Sequence, residues 1–537
     1  MRDAAKRYDA IIVGAGSAGC VLANRLSADP ARRVLLLEAG PRDWHPFIHM
    51  PAGIARLAGN RRINWNYATT PQVQLANRSI WWPRGKVLGG SSSINAMCYI
   101  RGNPTDYDDW AAATGDPRWA WRNVLPYFKR AERNSRGANA WHGGDGPLGV
   151  SDLRHVNPLT RSFVEAGAQL GLAPNDDFNG ATQLGVGLYQ VTQWNGARSS
   201  TAVAYLDPVK ARPNLRVVTG ALVTRINFAH AAGAQPRATG VDCRVHDANV
   251  HFAADDIILC GGTVNSPQLL MVSGVGDADA LRAFGIESVQ HLPGVGANLQ
   301  DHLDVCTLQH ETRHTSYDRA SEVKTAFDYF LRGHRGVGTS NIAEGGAFLR
   351  SPLATDARAD IQLHFIPAMI DDHGRHRLAG DGYTMHACFI RPHSRGRITL
   401  TSADARDKPR IDANYLGDSA GFDLAMLVEC ARASIAVFEQ PAFDRYRGAW
   451  IYPARKPETD AEWIEFVRAR AETVYHPVGT CRMGRDDAAV VDAELRVHGV
   501  ANLRVVDASA MPTLPSGNTN APTIMLAERA ADLILGS

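Results

Sequence analysis

The stretch "YDAIIVGAGSAGCVLANRLSADPARRVLLLEAG", residues 8–40, decides how the chain begins to fold. The apolar run from Ala10 to Val13 reads as a buried strand, and it stops at three glycines, Gly14, Gly16 and Gly19. An amphipathic helix follows to about Leu26, then a second apolar run, Val34–Leu37, ending at Glu38. Gly14 permits a tight turn, Gly16 lets the backbone approach a pyrophosphate, and Gly19 lets helix and strand pack closely. The helix start offers unpaired N–H groups and a positive dipole to phosphates. Glu38, 19 residues after Gly19, stands where an acid binds a ribose hydroxyl. Three spaced glycines alone are weak evidence, but strand, glycines, helix, strand and acid here occur in order. The pattern does not separate flavin from nicotinamide dinucleotides. Its occurring once, near the start, leans towards one tightly held cofactor.

The 537 residues exceed what a single core usually organises, so two domains are expected, or one with a second built into it. Hydrophobic residues make up 45% and charged residues 21%, with a net charge of +2 and no basic block that marks a nucleic-acid or lipid surface. No apolar run is long enough to span a bilayer, and the lead "MRDAAKRYDAIIVGAG" runs into a strand without a signal-peptide pattern. A cytoplasmic location is the expectation, with peripheral attachment to the inner membrane face as a second one. Eight scattered cysteines without a CxxC pair are expected to be reduced and buried. No ligand set for a metal is seen. Glycine clusters at 14–19, 85–90, 143–149, 261–262, 274–276 and 294–296 mark tight turns or close backbone approach. Residues 305–470, with strand-like runs such as "DIQLHFI" and "MHACFI", read as a substrate-facing region with its own sheet.

Further segments carry a resemblance. "RGKVLGGSSSINAMCYIRG" (84–102) is a Gly/Ser loop without the ending of a P-loop, and "DIILCGGTVNSPQLLMVSGVG" (256–276) is a strand, a Gly-Gly turn and a short helix closed near Gly274. Together with "LPGVGANLQDHL" (292–303), "YHPVGTCRMG" (475–484) and "LRVVDASAMPTLPSGNTNAPTIMLAERAADLI" (503–534), they make the chain resemble the glucose-methanol-choline flavin oxidoreductases. Bacterial choline dehydrogenase-like members look most alike, for example at "GGDGP" (143–147). The resemblance implies FAD and a combined α/β and α+β fold. In that fold a Rossmann-like FAD-binding domain is assembled from discontinuous segments, beside a substrate domain of antiparallel sheet and helices. The implied segments are 1–157, 213–304 and 471–537 for the FAD domain, and 158–212 and 305–470 for the substrate domain. The implied FAD contacts are Gly14, Gly16, Ser17, Gly19, Glu38 and Ala39, then Gly89, Gly90, Ser91, Asn95, Ala96 and Met97. Val223, Asp507, Ala508, Met511, Asn518 and Asn520 complete them. Some members anchor the flavin through a histidine just before the Asn of the Gly/Ser loop. Here that residue is Ile94, so the flavin is expected to be noncovalent.

His476 is the chemical centre of this reading. A metal site lacks companion ligands at useful spacing, and Cys481 reads as a small buried filler rather than a nucleophile. The resemblance makes His476 the catalytic histidine and Asn520, 44 residues later, its partner. Imidazole suits removal of a hydroxyl proton near neutrality, flavin suits the hydride, and an amide fixes the alcohol oxygen. Pro477 restricts the backbone beside the histidine. The final helix, with Pro522 early in it, is expected to aim its positive end at the flavin. The expected activity is oxidation of a primary alcohol to an aldehyde, with electrons leaving to oxygen or a quinone-like acceptor. Tyr475, Glu344 and an aromatic of "NWNY" (Trp65 or Tyr67) are pocket candidates that would build a cage for choline, although an uncharged or aromatic alcohol is preferred. A hydroxynitrile lyase with non-redox FAD is the rival from another class, since one fold hosts several chemistries. A nicotinamide reductase would need a second dinucleotide motif, which the sequence lacks.

Overall fold

The computed structural model describes residues 7–57, 59–229 and 234–536; the polar lead of residues 1–6 lies outside them. The opening motif folds as read: strand Tyr8–Val13, helix Ser17–Leu26, strand Val34–Glu38. Every residue of the second strand is buried, as are Ile11, Ile12, Val21 and Leu22. Buried aliphatic side chains of this kind stabilise by about 1.5–3 kcal/mol each, so the motif is anchored by the sheet it enters. Gly19 is required there, because a Cβ would lie 1.9 Å from the Gly14 carbonyl oxygen.

That sheet has seven strands. Leu215–Thr219, Val34–Glu38, Tyr8–Val13 and Ala248–Leu259 run side by side and parallel. Arg237–Val245 and Ala221–Ala229 continue it antiparallel, and Leu503–Val505 returns from the far end of the chain to pair in parallel with Ala248–Leu259. The helices Gly262–Val272 and Asn520–Leu535 complete this half.

The second seven-stranded sheet is antiparallel throughout, in the order Arg447–Tyr452, Leu303–Glu311, Gly382–Phe389, Ile361–Ile366, Gly345–Leu349, Gly185–Leu188. The short strand Ala471–Thr473 also pairs with Leu303–Glu311. The expected split at 304/305 therefore falls inside a strand, and the segment opening at 471 contributes three residues to the substrate sheet. Helix Phe422–Phe438 packs on one face of this sheet. Side-chain alternation sorts the two faces: Leu363, Phe365, Tyr383, Met385 and Ala387 enter the main core, while His364, Ile366 and His386 line the cavity between the sheets.

All eight cysteines are free and buried, Cys481 included. No helix among the described residues is long and apolar enough to cross a membrane.

Candidate active site

A cavity of ≈ 1170 Å³ runs between the two sheets. It is lined by Gly14, Gly16, Ser17, Glu38, Ala39 and Val223, by Gly90, Ser91, Asn95, Ala96, Met97, Asp507 and Ala508, and by Tyr475, His476 and Asn518. Gly19 and Gly89 sit behind this lining and shape it: Gly89, at φ +85°, donates its N–H to the Ala15 carbonyl at 2.8 Å. Met511 is buried in the main core and is not part of the wall.

The dinucleotide end has the features a pyrophosphate needs. Helix Ser17–Leu26 starts at Gly16 with no side chain capping it, so its first N–H groups are left to the cavity. Gly16 and Gly90 approach so closely that a Cβ on Gly90 would lie 2.7 Å from the Gly16 Cα. Glu38 accepts from the N–H groups of Ala15 (2.9 Å) and Gly40 (2.8 Å), and burial raises its carboxyl to about 7. Asp507 holds the second Gly turn by accepting from Gly262 N (2.8 Å) and Ser266 Oγ (2.6 Å). Arg198, which sequence reading missed, stitches the Gly/Ser loop from behind. Its guanidinium donates to Ile48 O (2.7 Å), Asn95 O (2.7 Å) and Asn95 Oδ1 (2.9 Å), and burial lowers its pKa to about 9. These residues fit an FAD.

His476 is pinned on several sides. Its backbone N–H donates to Asp301 Oδ1 at 2.8 Å. Asp301 also accepts from Thr473 Oγ1 (2.6 Å) and the Tyr415 hydroxyl. Tyr475 holds a left-handed φ of +67°, costly for a side chain of its size. It is held there by Arg84, which donates to its carbonyl at 2.7 Å, by Thr473 Oγ1, which accepts from its N–H at 2.8 Å, and by His373 against its hydroxyl at 2.6 Å.

The imidazole of His476 has partners at both nitrogens. Nδ1 lies 3.0 Å from Nδ1 of His302, and Nε2 lies 3.1 Å from the amide nitrogen of Asn518. His302 Nε2 is 3.1 Å from the Ile390 carbonyl, which can only accept. His302 therefore carries its proton on Nε2 and accepts at Nδ1. His476 donates from Nδ1, and its Nε2 keeps a lone pair. Burial, with His302 and His364 nearby, holds His476 well below the usual imidazole range, and burial lowers His302 to about 3. Both rings are neutral at physiological pH.

The structure corrects two expectations. The amide that reaches His476 belongs to Asn518, not Asn520. Asn518 precedes the final helix, and its Oδ1 accepts from Gln362 (3.0 Å), which aims its nitrogen at the imidazole. Asn520 is the first helical residue, and its Oδ1 accepts from Ser17 Oγ at 2.7 Å instead. The helix end itself does face the cavity through Thr519, Asn520 and Thr523, and its first turn has no side-chain cap. The second correction concerns the cage. Glu344 is fully buried and does not line the cavity. Its carboxylate accepts from Asn157 N (2.9 Å), Thr160 Oγ1 (2.6 Å), Ser340 Oγ (2.6 Å) and the Tyr317 hydroxyl. Trp65 lines the cavity, but Tyr67 stacks on it at 5.9 Å and Lys86 Nζ sits 4.6 Å from its ring centre. Tyr67 is buried, with its hydroxyl on Asn265 at 2.9 Å.

Sequence reading also missed the remaining histidines of the wall. His364 and His386 are directly paired across adjacent strands, and both line the cavity with His373. Asp304 bonds His386 Nδ1 at 2.5 Å and, with Glu472, outweighs burial to raise its pKa. His364 Nδ1 has no hydrogen-bond partner among the described residues, and burial lowers that ring to about 3. The visible signal was the alternation in "IQLHFI", where Gln362 and His364 take every second place on a buried strand.

A nucleotide cradle joined to a buried, neutral, oriented imidazole defines an FAD-dependent oxidoreductase. The comparisons agree: the GMC oxidoreductase family models match residues 8–304 and 392–527, and the chain belongs to that family. It is 48% identical to an alcohol dehydrogenase [acceptor] of Pseudomonas putida, over 98% of this chain and 96% of that protein. It is 46% identical to the mitochondrial choline dehydrogenase of Mus musculus, over 98% of this chain and 89% of that one. Among solved structures, pyridoxine 4-oxidase from Mesorbium loti superposes with a TM-score of 0.88 at 34% identity, covering 99% and 100% of the two chains.

Proposed function

We propose that the chain oxidises a primary alcohol to an aldehyde, with His476 as the base, Asn518 as its amide partner and FAD held noncovalently. The observation that carries the reading is the lone pair on His476 Nε2, fixed by the chain of bonds through His302 to the Ile390 carbonyl. When bound, FAD supplies the hydride acceptor. His476 takes the hydroxyl proton at Nε2, where a substrate hydroxyl replaces the Asn518 donor. Asn518 then donates to the substrate oxygen and holds it in place. Asp301 and Arg84 keep the loop still, so the imidazole need not reorganise as it accepts the proton.

The preferred substrate is an uncharged or aromatic alcohol. His364, His373, His386, Ile366, Ile370 and Val474 line the cavity with His476, and the carboxylates that line it among the described residues are Glu38, Asp318, Glu322 and Asp507. A quaternary ammonium needs open aromatic faces or an acid, and Glu344 and the Trp65 ring are already engaged. Electrons leave to oxygen or to a quinone-like acceptor. The test is anaerobic mixing of the yellow enzyme with benzyl alcohol and with choline. Bleaching by an alcohol supports the redox reading, and a flavin that stays oxidised with every alcohol while cyanohydrin is cleaved makes the protein a lyase.

A further inference from the structure

We infer that Asp372, His373 and Glu472 form a binding site for a divalent transition-metal ion of the zinc type, set against the cavity wall beside Tyr475. Among the described residues, one ligand atom from each lies within 4.8 Å of the other two. His373 Nδ1 and Glu472 Oε2 stand 3.5 Å apart. Two donors held about 2.0–2.1 Å from a tetrahedral zinc are separated by about 3.4 Å, so this pair already has the needed span. The ligands come from a short turn and a strand far apart in the chain, so no spacing in the sequence displays them.

Glu472 calls for a cation. Its side chain is 9% exposed, and Oε2 has no hydrogen-bond partner among the described residues. A buried carboxylate oxygen without a donor is costly. Glu472 also stands directly opposite Asp304 on the neighbouring strand, where like charges destabilise. Asp304 Oδ1 is a second buried oxygen without a donor. The nearby cations are engaged elsewhere. His386 bonds Asp304 Oδ2, Arg375 bonds Asp372 Oδ1, and Arg470 pairs with Asp371 at 3.7 Å. Arg78 favours the Glu472 charge from further off, while its guanidinium donates to the Arg468 carbonyl at 3.2 Å. Burial and then Asp304 push the Glu472 carboxyl up to about 7, so its alternative to a cation is a proton.

The imidazole suits the same ion. Burial keeps the His373 ring neutral, with a lone pair to offer a metal. Asp372 and His373 both hold a left-handed φ, +46° and +59°, which presents them side by side towards Glu472. His373 lines the cavity, which gives the ion a route in. Its Nδ1 also meets the Tyr475 hydroxyl at 2.6 Å, so the ion would take that nitrogen from the residue before the proposed base. Imidazole with carboxylates favours zinc over calcium or magnesium. Bound there, the ion would tie the turn at 372–374 to the strand Ala471–Thr473, which leads into His476. A second grouping, His393, Asp418 and Asp423, is taken up by its own backbone. Asp423 accepts from His393 N and Ser394 N at 2.8 Å each, and Asp418 from Phe422 N at 2.7 Å.

The test is calorimetric titration with zinc chloride of the full-length, FAD-loaded protein, first stripped of metal by a chelator. Binding of one equivalent is expected, with a Tm that rises with zinc and falls back with chelator. Cobalt(II) in its place should give the visible d–d bands of a tetrahedral site, and zinc should remove them. Glu472→Gln and His373→Ala should each weaken zinc binding at least about 100-fold, the upper end of what loss of an outer-shell partner costs. His393→Ala, in the second grouping, should bind like wild type. If Glu472→Gln loses its flavin or its fold, His373→Ala decides. Wild-type protein that takes up no zinc overturns the proposal and leaves Glu472 with a proton only. So do variants at 373 and 472 that bind like wild type, or a loss of binding in His393→Ala. Zinc binding is read without turnover, so failure of the alcohol reading shows separately.

Discussion

His302 accepts the Nδ1 proton of His476 across 3.0 Å, and this bond decides which nitrogen of the second ring is free to act as a base. It links a histidine at the head of a substrate-sheet strand to one in the loop that closes the cavity. Replacing His302 with Leu strands the Nδ1–H of His476 in a buried place. An unpaired buried donor costs about 1–3 kcal/mol, so flavin reduction should slow by about 10- to 100-fold. Stopped-flow absorbance with FAD still bound checks this; an unchanged rate would make the contact incidental.

The two asparagines near the final helix should separate by phenotype. His476→Ala should slow flavin reduction by about 10²–10⁴-fold, the usual size of a general-base contribution. Asn518→Ala should also slow reduction while retaining flavin. Asn520→Ala removes the partner of Ser17 beside the nucleotide loop and should chiefly weaken FAD retention, measured by dialysis. A reversed pattern would restore Asn520 as the partner of the base.

The pH profile follows from the direction of the His476 shift. Its pKa is lowered, by burial first and by His302 and His364 next, so the active neutral form persists as pH falls below the ordinary value of 6.5. Proton removal fails only once pH drops through the lowered value. The acid limb of flavin reduction by alcohol should therefore lie well under pH 6.5. A limb centred near 6.5 would mean the ring is solvated and unperturbed.

Ile94 stands just before Asn95 and lines the cavity. A sec-butyl side chain offers nothing to form a bond with the flavin, so acid precipitation should release the yellow colour to the supernatant. Colour retained in the pellet would contradict noncovalent binding.

Glu344 should behave as a structural acid. Glu344→Gln places amide hydrogens among groups that donate to the carboxylate, which destabilises by about 1–3 kcal/mol and lowers Tm. The ratio of kcat/KM for benzyl alcohol over choline should stay put, in favour of the neutral alcohol. A selective loss of choline turnover would bring the cation cage back.

Legibility in the sequence depended on how local each signal was. The strand–glycine–helix–strand–acid motif is contiguous, and its strand and helix limits match the structure closely. That His476 lines the cavity was legible because its loop carries its own neighbours. The choice between Asn518 and Asn520 was not, since both lie in "SGNTNAP" and their directions depend on the backbone turn at Thr519 (φ −91°, ψ −4°). Glu344 misled because its partners come from residues 157, 160, 317 and 340, three of them remote in sequence. His302 sat in a quoted segment, but its bond to His476 spans 174 positions.

The Ser17–Asn520 bond joins positions 503 residues apart, and Arg25 with buried Glu528 repeats the join at 2.8 Å. Translation therefore makes the nucleotide loop first and its last wall hundreds of residues later. Until then the apolar first strand and helix lack their final cover, and contacts this distant close slowly and leave surface open to aggregation. Flavin capture is thus a late event in biogenesis, and yield during overexpression should respond to chaperone supply and to synthesis rate before it responds to riboflavin.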